Sequence, residues 1–275
     1  MSSKTPRSYA GPLAGLPPQS DLSVDTAVFT EAYAVIPAAT MRDIVTSFLP
    51  GWTNMRMWII ARPLSGFAET FSQYIVELKG EAGSDRPEED PTVQSALFVT
   101  NGAVDVEIAG QTHHLTEGGF AYIPAGTAWT VKNAADLSRF HWWRKRWQAV
   151  EGLEKPDVII ANEKDIAPIA MPETEGRWAT TRFMDPNDIR HDMHITIVTL
   201  KPGGTIPFAE THVMEHGLFV IEGKAVYRLN QDWVEVGPGD FMWLRAFCPQ
   251  CCYAGGPSDF RYLLYKDVNR HAKML

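Results

Sequence analysis

Four side chains able to hold or move charge, Glu210, His212, Glu215 and His216, fall close together in the run Glu210-Thr-His212-Val-Met-Glu-His216. Residues 210 and 212 are two apart, so on a strand both side chains leave the same face. His216 keeps that parity and can return to the same face after a bend. Gln250, about 35 residues further on, would arrive on a neighbouring strand. Two imidazoles, a carboxylate and an amide oxygen suit a borderline-to-hard divalent ion such as manganese or iron, and need no thiolate.

Other chemistries compete for the same residues. His212-Val-Met-Glu215-His216 spells H-x-x-E-H, the inverted zinc-protease motif, which requires a helix to bring positions i and i+4 together. Pro207 upstream, Gly217 immediately downstream and the strand-like Leu218–Ile221 argue against a helix. Isolated histidines are often satisfied core or surface groups, but four donors, at 210, 212, 216 and 250, spaced to meet on neighbouring strands are not isolated. Cys248-x-x-Cys251 has no second pair to complete a zinc or redox site, and reads as small, partly buried packing.

The elements that must position these residues form a repeat at an offset of 121 residues. Ala96-Leu97-Phe98-Val99-Thr100-Asn101-Gly102 lies over Gly217-Leu218-Phe219-Val220-Ile221-Glu222-Gly223. Gly118 then falls on Gly239 and Phe120 on Phe241 without a gap. So long a period means duplicated domains rather than a solenoid. Short apolar runs separated by Gly, Pro or Asn turns predict strands at Ile195–Leu200, Leu218–Ile221, Ala225–Leu229, Trp233–Val236 and Phe241–Leu244, hence an all-β sandwich or small barrel. The expected layout is an irregular arm over 1–28, a first domain over 29–150, a connector over 151–177 and a second domain over 178–275. At the repeat offset the four donor positions become Glu89, Pro91, Ser95 and Trp129, a set that cannot hold a metal, although Gly118, Pro124 and Gly126 keep a regular turn scaffold.

The spacing of the second copy resembles the two cupin motifs, G-x5-H-x-H-x3-E-x6-G and G-x5-P-x-G-x2-H, whose metal positions fall on Glu210, His212, His216 and Gln250. A bicupin of two tandem double-stranded β-helix domains is the fold this implies, with the first domain metal-free. The match narrows to the (S)-ureidoglycine aminohydrolase family. It is carried by Glu210-Thr-His212 with His216-Gly217, Val226-Tyr227-Arg228-Leu229, Pro249-Gln250 and the tail Arg261-Tyr-Leu-Leu-Tyr-Lys266-Asp-Val-Asn-Arg270. The resemblance implies bound manganese (or another divalent ion), substrate contacts from Tyr227, Tyr262 and Lys266, and Glu210 and Lys266 as groups able to move protons. Cys251 and Cys252 replace bulkier residues, which suggests a wider pocket. A cupin dioxygenase or isomerase, or a non-catalytic small-molecule-binding cupin, is the alternative.

Composition bounds the partners. The 275 residues are 45% hydrophobic and 21% charged, with 19 Pro, 21 Gly and a net charge of −8. That charge disfavours nucleic acid and anionic membranes but permits a small anionic substrate facing one or two local cations. Phe140-His-Trp-Trp-Arg-Lys-Arg-Trp147 reads as a closing strand with a snorkelling basic edge. His113-His114 and His191 with His194 read as surface or packing residues, with a role near the site as the alternative for His194. No apolar run approaches membrane-span length and no secretory leader is expected. The three clustered cysteines suit a reducing compartment. A cytoplasmic homo-oligomer is the expected form.

Overall fold

The structure is a computed structural model and describes residues 7–13, 27–41, 48–63 and 67–267. Two strands come first, β1 (Val28–Phe29) and β2 (Tyr33–Ile36). The first half continues with β3 (Trp52–Ala61), β4 (Ser72–Ser84), β5 (Val93–Asn101), β6 (Ala103–Ile108), β7 (Gln111–Thr116), β8 (Gly119–Ile123), β9 (Trp129–Asn133), β10 (Leu137–Arg146) and β11 (Ile159–Asn162). A short 3-10 turn, Glu163–Asp165, leads to the second half. This contains β12 (Ile169–Ala170), β13 (Trp178–Arg182), β14 (His194–Leu200), β15 (Thr205–Glu210), β16 (His216–Glu222), β17 (Ala225–Leu229), β18 (Asp232–Val236), β19 (Phe241–Leu244), β20 (Gln250–Tyr253) and β21 (Phe260–Lys266).

The first-half strands form one sheet in the order β11-β8-β5-β10-β4-β9-β6-β7, with β3 added on β4. The second half forms an eight-stranded sheet, β1-β2-β19-β16-β21-β14-β13-β12, and a four-stranded one, β15-β20-β17-β18. The repeat survives as register. Phe98 pairs with Phe120 and Phe219 with Phe241, each 121 residues on from its counterpart. Gly102 and Gly223 close the matching turns at φ 69° and 75°; a side chain there would run into the carbonyl oxygens of Leu137 and Asp259 respectively.

Period-two alternation builds three cores, because both faces of the central strands are buried. On β16, Leu218 and Val220 face the second barrel's interior while Phe219 and Ile221 face the other half. On β5, Leu97 and Val99 face the first barrel's interior while Ala96 and Phe98 turn to the shared layer. That shared layer is strongly aromatic, with Phe120 stacked on Phe183 at 4.5 Å and Phe71 on Tyr265 at 3.9 Å between ring centroids.

Sheet membership cuts across the limits expected from chain order. β2 pairs antiparallel with β19, so residues 28–36 extend the second half's sheet rather than the first domain's. β11, within the expected connector, pairs with β8 and closes the first half's sheet. One edge of each large sheet is thereby covered by a segment that chain order had placed outside that domain. The basic strand β10 is likewise no closing edge. It lies between β4 and β5, and Lys145 is buried against Asp192 at 2.9 Å instead of reaching solvent.

Candidate active site

The parity that puts Leu218 and Val220 inside the second barrel also puts His216, the first residue of β16, inside it. Lys266 is its Cα partner on β21, and Lys266 is in turn the partner of His194 on β14. His216, Lys266 and His194 thus form one cross-strand row on the inner face of a single sheet. On the facing sheet, Glu210 ends β15 opposite Gln250, the first residue of β20, after a register shift that follows Ile206. His212 sits in the loop between, with no helix. Its carbonyl oxygen accepts the Phe247 N–H at 2.6 Å. Phe247 holds a left-handed φ of 67°, where the first copy has Gly126 at 73°. A bulky residue in that conformation is strained, and here the turn pins the His212 loop.

These groups line a cavity of about 210 Å³. Glu210, His212, His216, Gln250, Tyr262 and Lys266 all contribute to its wall. Glu210 Oε1 lies 3.2 Å from His212 Nε2, and the His212 and His216 rings are 5.0 Å apart at 68°. Burial, helped by the charges of Lys266 and His212, holds the His216 pKa well below the usual imidazole range, so the ring is neutral and able to donate a lone pair. Burial also lowers the Lys266 pKa; Glu210 opposes that shift and Arg182 adds to it.

Tyr227 is brought to the site only indirectly. It is fully buried, does not line the cavity, and donates its hydroxyl hydrogen to Tyr262 Oη at 3.0 Å. Burial raises both phenols well above their ordinary range, so both stay protonated. Cys252 pairs with Tyr227 across β17 and β20 and faces the apolar core, while Cys251 packs at its margin. Neither cysteine lines the cavity, so the wider pocket expected from them is not formed there.

The β13 residues of the wall, Trp178, Thr180 and Arg182, escaped the sequence reading, whereas a place for His194 near the site was one of its alternatives. His194 is buried and in the wall, not on the surface, and Arg182 projects from β13 in phase with Trp178 and Thr180. The signal for His194 was its parity with Thr196 and Val198; Arg182 had only its alternation with Thr180.

The donors fit a divalent ion by chemistry and by shared wall: two imidazoles, one of them held neutral by burial, a carboxylate and an amide oxygen. They are not drawn together into a coordination cluster. Among the described residues no three His, Cys, Asp or Glu side chains stand grouped to hold an ion, and Glu210 is in contact with His212 instead. The first barrel has its equivalent space filled. Trp142 donates its indole N–H to Ser95 Oγ at 3.1 Å and packs among Trp52, Tyr74 and Trp129. Arg144, which stands to Ser95 as Lys266 stands to His216, forms a two-pronged ion pair with Glu88.

Two barrels, one filled with tryptophan and one hollow and lined with donors, define a bicupin. A cupin-domain family model matches residues 196–265 and an EutQ-like cupin-domain model residues 65–155. (S)-Ureidoglycine aminohydrolase of Escherichia coli K12 is 30% identical over 237 residues, 86% of this chain and 89% of that one. A probable (S)-ureidoglycine aminohydrolase of rice is 32% identical over 244 residues, covering 88% and 75%. The chain belongs to the (S)-ureidoglycine aminohydrolase family. Among solved structures, a putative glyoxylate-induced protein of Pseudomonas aeruginosa superposes with a TM-score of 0.91 at 62% identity, covering 98% of this chain and 99% of that one. No helix among the described residues is long and apolar enough to cross a membrane.

Proposed function

We propose that this protein hydrolyses (S)-ureidoglycine to (S)-ureidoglycolate and ammonia with a divalent ion, manganese by family resemblance, held by Glu210, His212, His216 and Gln250. The reading is carried by one cavity lined by that donor set together with Lys266 and Tyr262. The kinship to relatives of that name, over 86% and 88% of the chain, supports it.

In the reaction the bond from the central carbon to its amine nitrogen breaks and a bond to a water oxygen forms. The water's two protons end on the product hydroxyl and the departing ammonia. A bound divalent ion supplies Lewis-acid stabilisation of charge on oxygen. Glu210 is the carboxylate able to accept a proton from the attacking water. Lys266, with its pKa lowered by burial, gives up a proton more readily than a surface lysine and is aligned to protonate the leaving amine. Tyr262, already receiving the Tyr227 hydroxyl, directs its own hydrogen to a substrate oxygen. Ile206, Leu218 and Leu264 complete the wall with apolar surface, which strengthens these interactions by excluding water.

Nitrogen labelling tests the reaction. With nitrogen-15 placed only in the amine of freshly generated ureidoglycine, the ammonia released by the manganese-supplemented protein should be fully labelled. Unlabelled ammonia would mean that the ureido group is cleaved, and the assignment would fail.

A further inference from the structure

The cavity wall contributed by β13 and β14 holds more recognition chemistry than the proposed reaction uses. Trp178, Thr180 and Arg182 alternate on the inner face of β13, and His194 and Thr196 do so on β14. Thr196 is the Cα partner of Arg182, which makes His194 its diagonal neighbour. The row across β16, β21 and β14 therefore continues, one step off, to a guanidinium on β13. At roughly 4.8 Å per strand, Arg182 is rooted about 14 Å from His216.

Three features of this wall call for a ligand. Arg182 Nε donates to Thr180 Oγ1 at 3.1 Å, which orients the fork, and no carboxylate pairs with it among the described residues. His194, 5% exposed, has an Nε2 without a protein partner, and so has the buried indole Nε1 of Trp178. Buried polar atoms are normally satisfied, by protein, water or ligand. Lys266 adds a second cation in the same cavity and feels the charge of Arg182. Glu210, the carboxylate across the cavity, is already engaged by His212. Two half-buried cations, facing one carboxylate that His212 already contacts, leave room for an anion.

We propose that Arg182, braced by Thr180, is the specificity-determining residue that reads the substrate carboxylate as a two-oxygen planar anion, with Trp178 Nε1 and His194 completing the subsite. A guanidinium fork matches a carboxylate in two parallel hydrogen bonds, which an ammonium does not. The assignment rests on the proposed substrate carrying a carboxylate. It divides the labour: Arg182 fixes the acid end, so Lys266 is left free to serve the departing amine.

The test uses N-carbamoylglycine, which has the carboxylate and ureido groups but no amine, and its carboxamide, which lacks the charge. Calorimetric titration of the full chain with manganese present should show the acid binding roughly 10–100-fold more tightly than the amide in the wild type. Arg182→Met should abolish that preference while leaving amide binding and metal content unchanged. Arg182→Lys should keep part of it, and circular dichroism serves as the folding control. An Arg182→Met protein that keeps the acid preference would overturn the proposal, as would a wild type that binds the two probes equally. A wild type that shows the Arg182-dependent preference yet releases no ammonia from ureidoglycine would support the subsite and sink the proposed reaction instead.

Discussion

His216 and Lys266 face each other across one backbone pairing, yet the roles proposed for them separate by charge. Burial keeps His216 neutral, as a metal ligand must be, and lowers the pKa of Lys266, as a proton donor's should be. The two functions should therefore come apart on substitution. His212→Ala should cut the bound metal to a small fraction of about one ion per chain, measured by elemental analysis. Lys266→Met, which keeps length and removes charge, should leave the metal in place and lower kcat/KM by about 2–4 kcal/mol, the range for losing one partner of a desolvated charged contact. Full activity in the lysine variant would take Lys266 out of the site. The sequence expected Glu210, His212, His216 and Gln250 in one place, and all four line one cavity, although His212 reaches it from the loop after β15 and not by strand parity. Tyr227 was misplaced by one layer because spacing says which face a residue takes, not which neighbour, here Tyr262, stands in front of it.

At the scale of elements, the loop joining β15 to β16 is held from the other half of the molecule. Glu215 is buried, and its carboxylate accepts the N–H groups of Glu69 and Thr70 at 2.7 and 3.0 Å, the Thr70 hydroxyl at 2.6 Å and the Trp243 indole at 2.6 Å. Its backbone exchanges two hydrogen bonds with Asp267, next to Lys266. The glutamate of the apparent protease motif is thus a clamp, tying the first barrel to the residues beside His216 and Lys266. Glu215→Ala strands four donors and should destabilise the fold by about 3–5 kcal/mol. The melting temperature should drop sharply and manganese should bind more weakly, although Glu215 is not a ligand. Glu215→Gln, which can still accept some of those bonds, should be milder. An alanine variant that melts like the wild type would remove the clamp. Strand bounds such as Ala225–Leu229 and Phe241–Leu244 were readable from alternation and turn residues. The pairing of β2 with β19 was not, because periodicity identifies a strand but carries no address across 200 residues.

Across the whole molecule, the shared strands and the aromatic layer between the sheets make the two barrels one cooperative unit, and the four buried histidines among the described residues make that unit sensitive to acid. Burial pushes His141 down to about 3 and His194 down to about 4, lowers His191, and holds His216 far down. His141 is the clearest case. It sits in the layer between the halves at 4.5 Å from Phe219 and 5.5 Å from Trp143, with Gln73 Nε2 3.2 Å from its Nδ1 and no partner on Nε2. In the unfolded chain these rings titrate near 6.5. Between that value and the folded one the unfolded state binds more protons, so stability is complete above about pH 6.5 and falls as the pH falls. By pH 5, where most carboxylates are still ionised, His141 and His194 should each have cost about 2 kcal/mol. Urea unfolding at pH 7.5, 6 and 5 should show a steady loss over that interval. His141→Leu, whatever its stability at pH 7.5, should lose about 2 kcal/mol less than the wild type between pH 7.5 and 5. Equal slopes for the two proteins would mean that the ring is protonated inside the fold, and the buried layer would then have to be open to water.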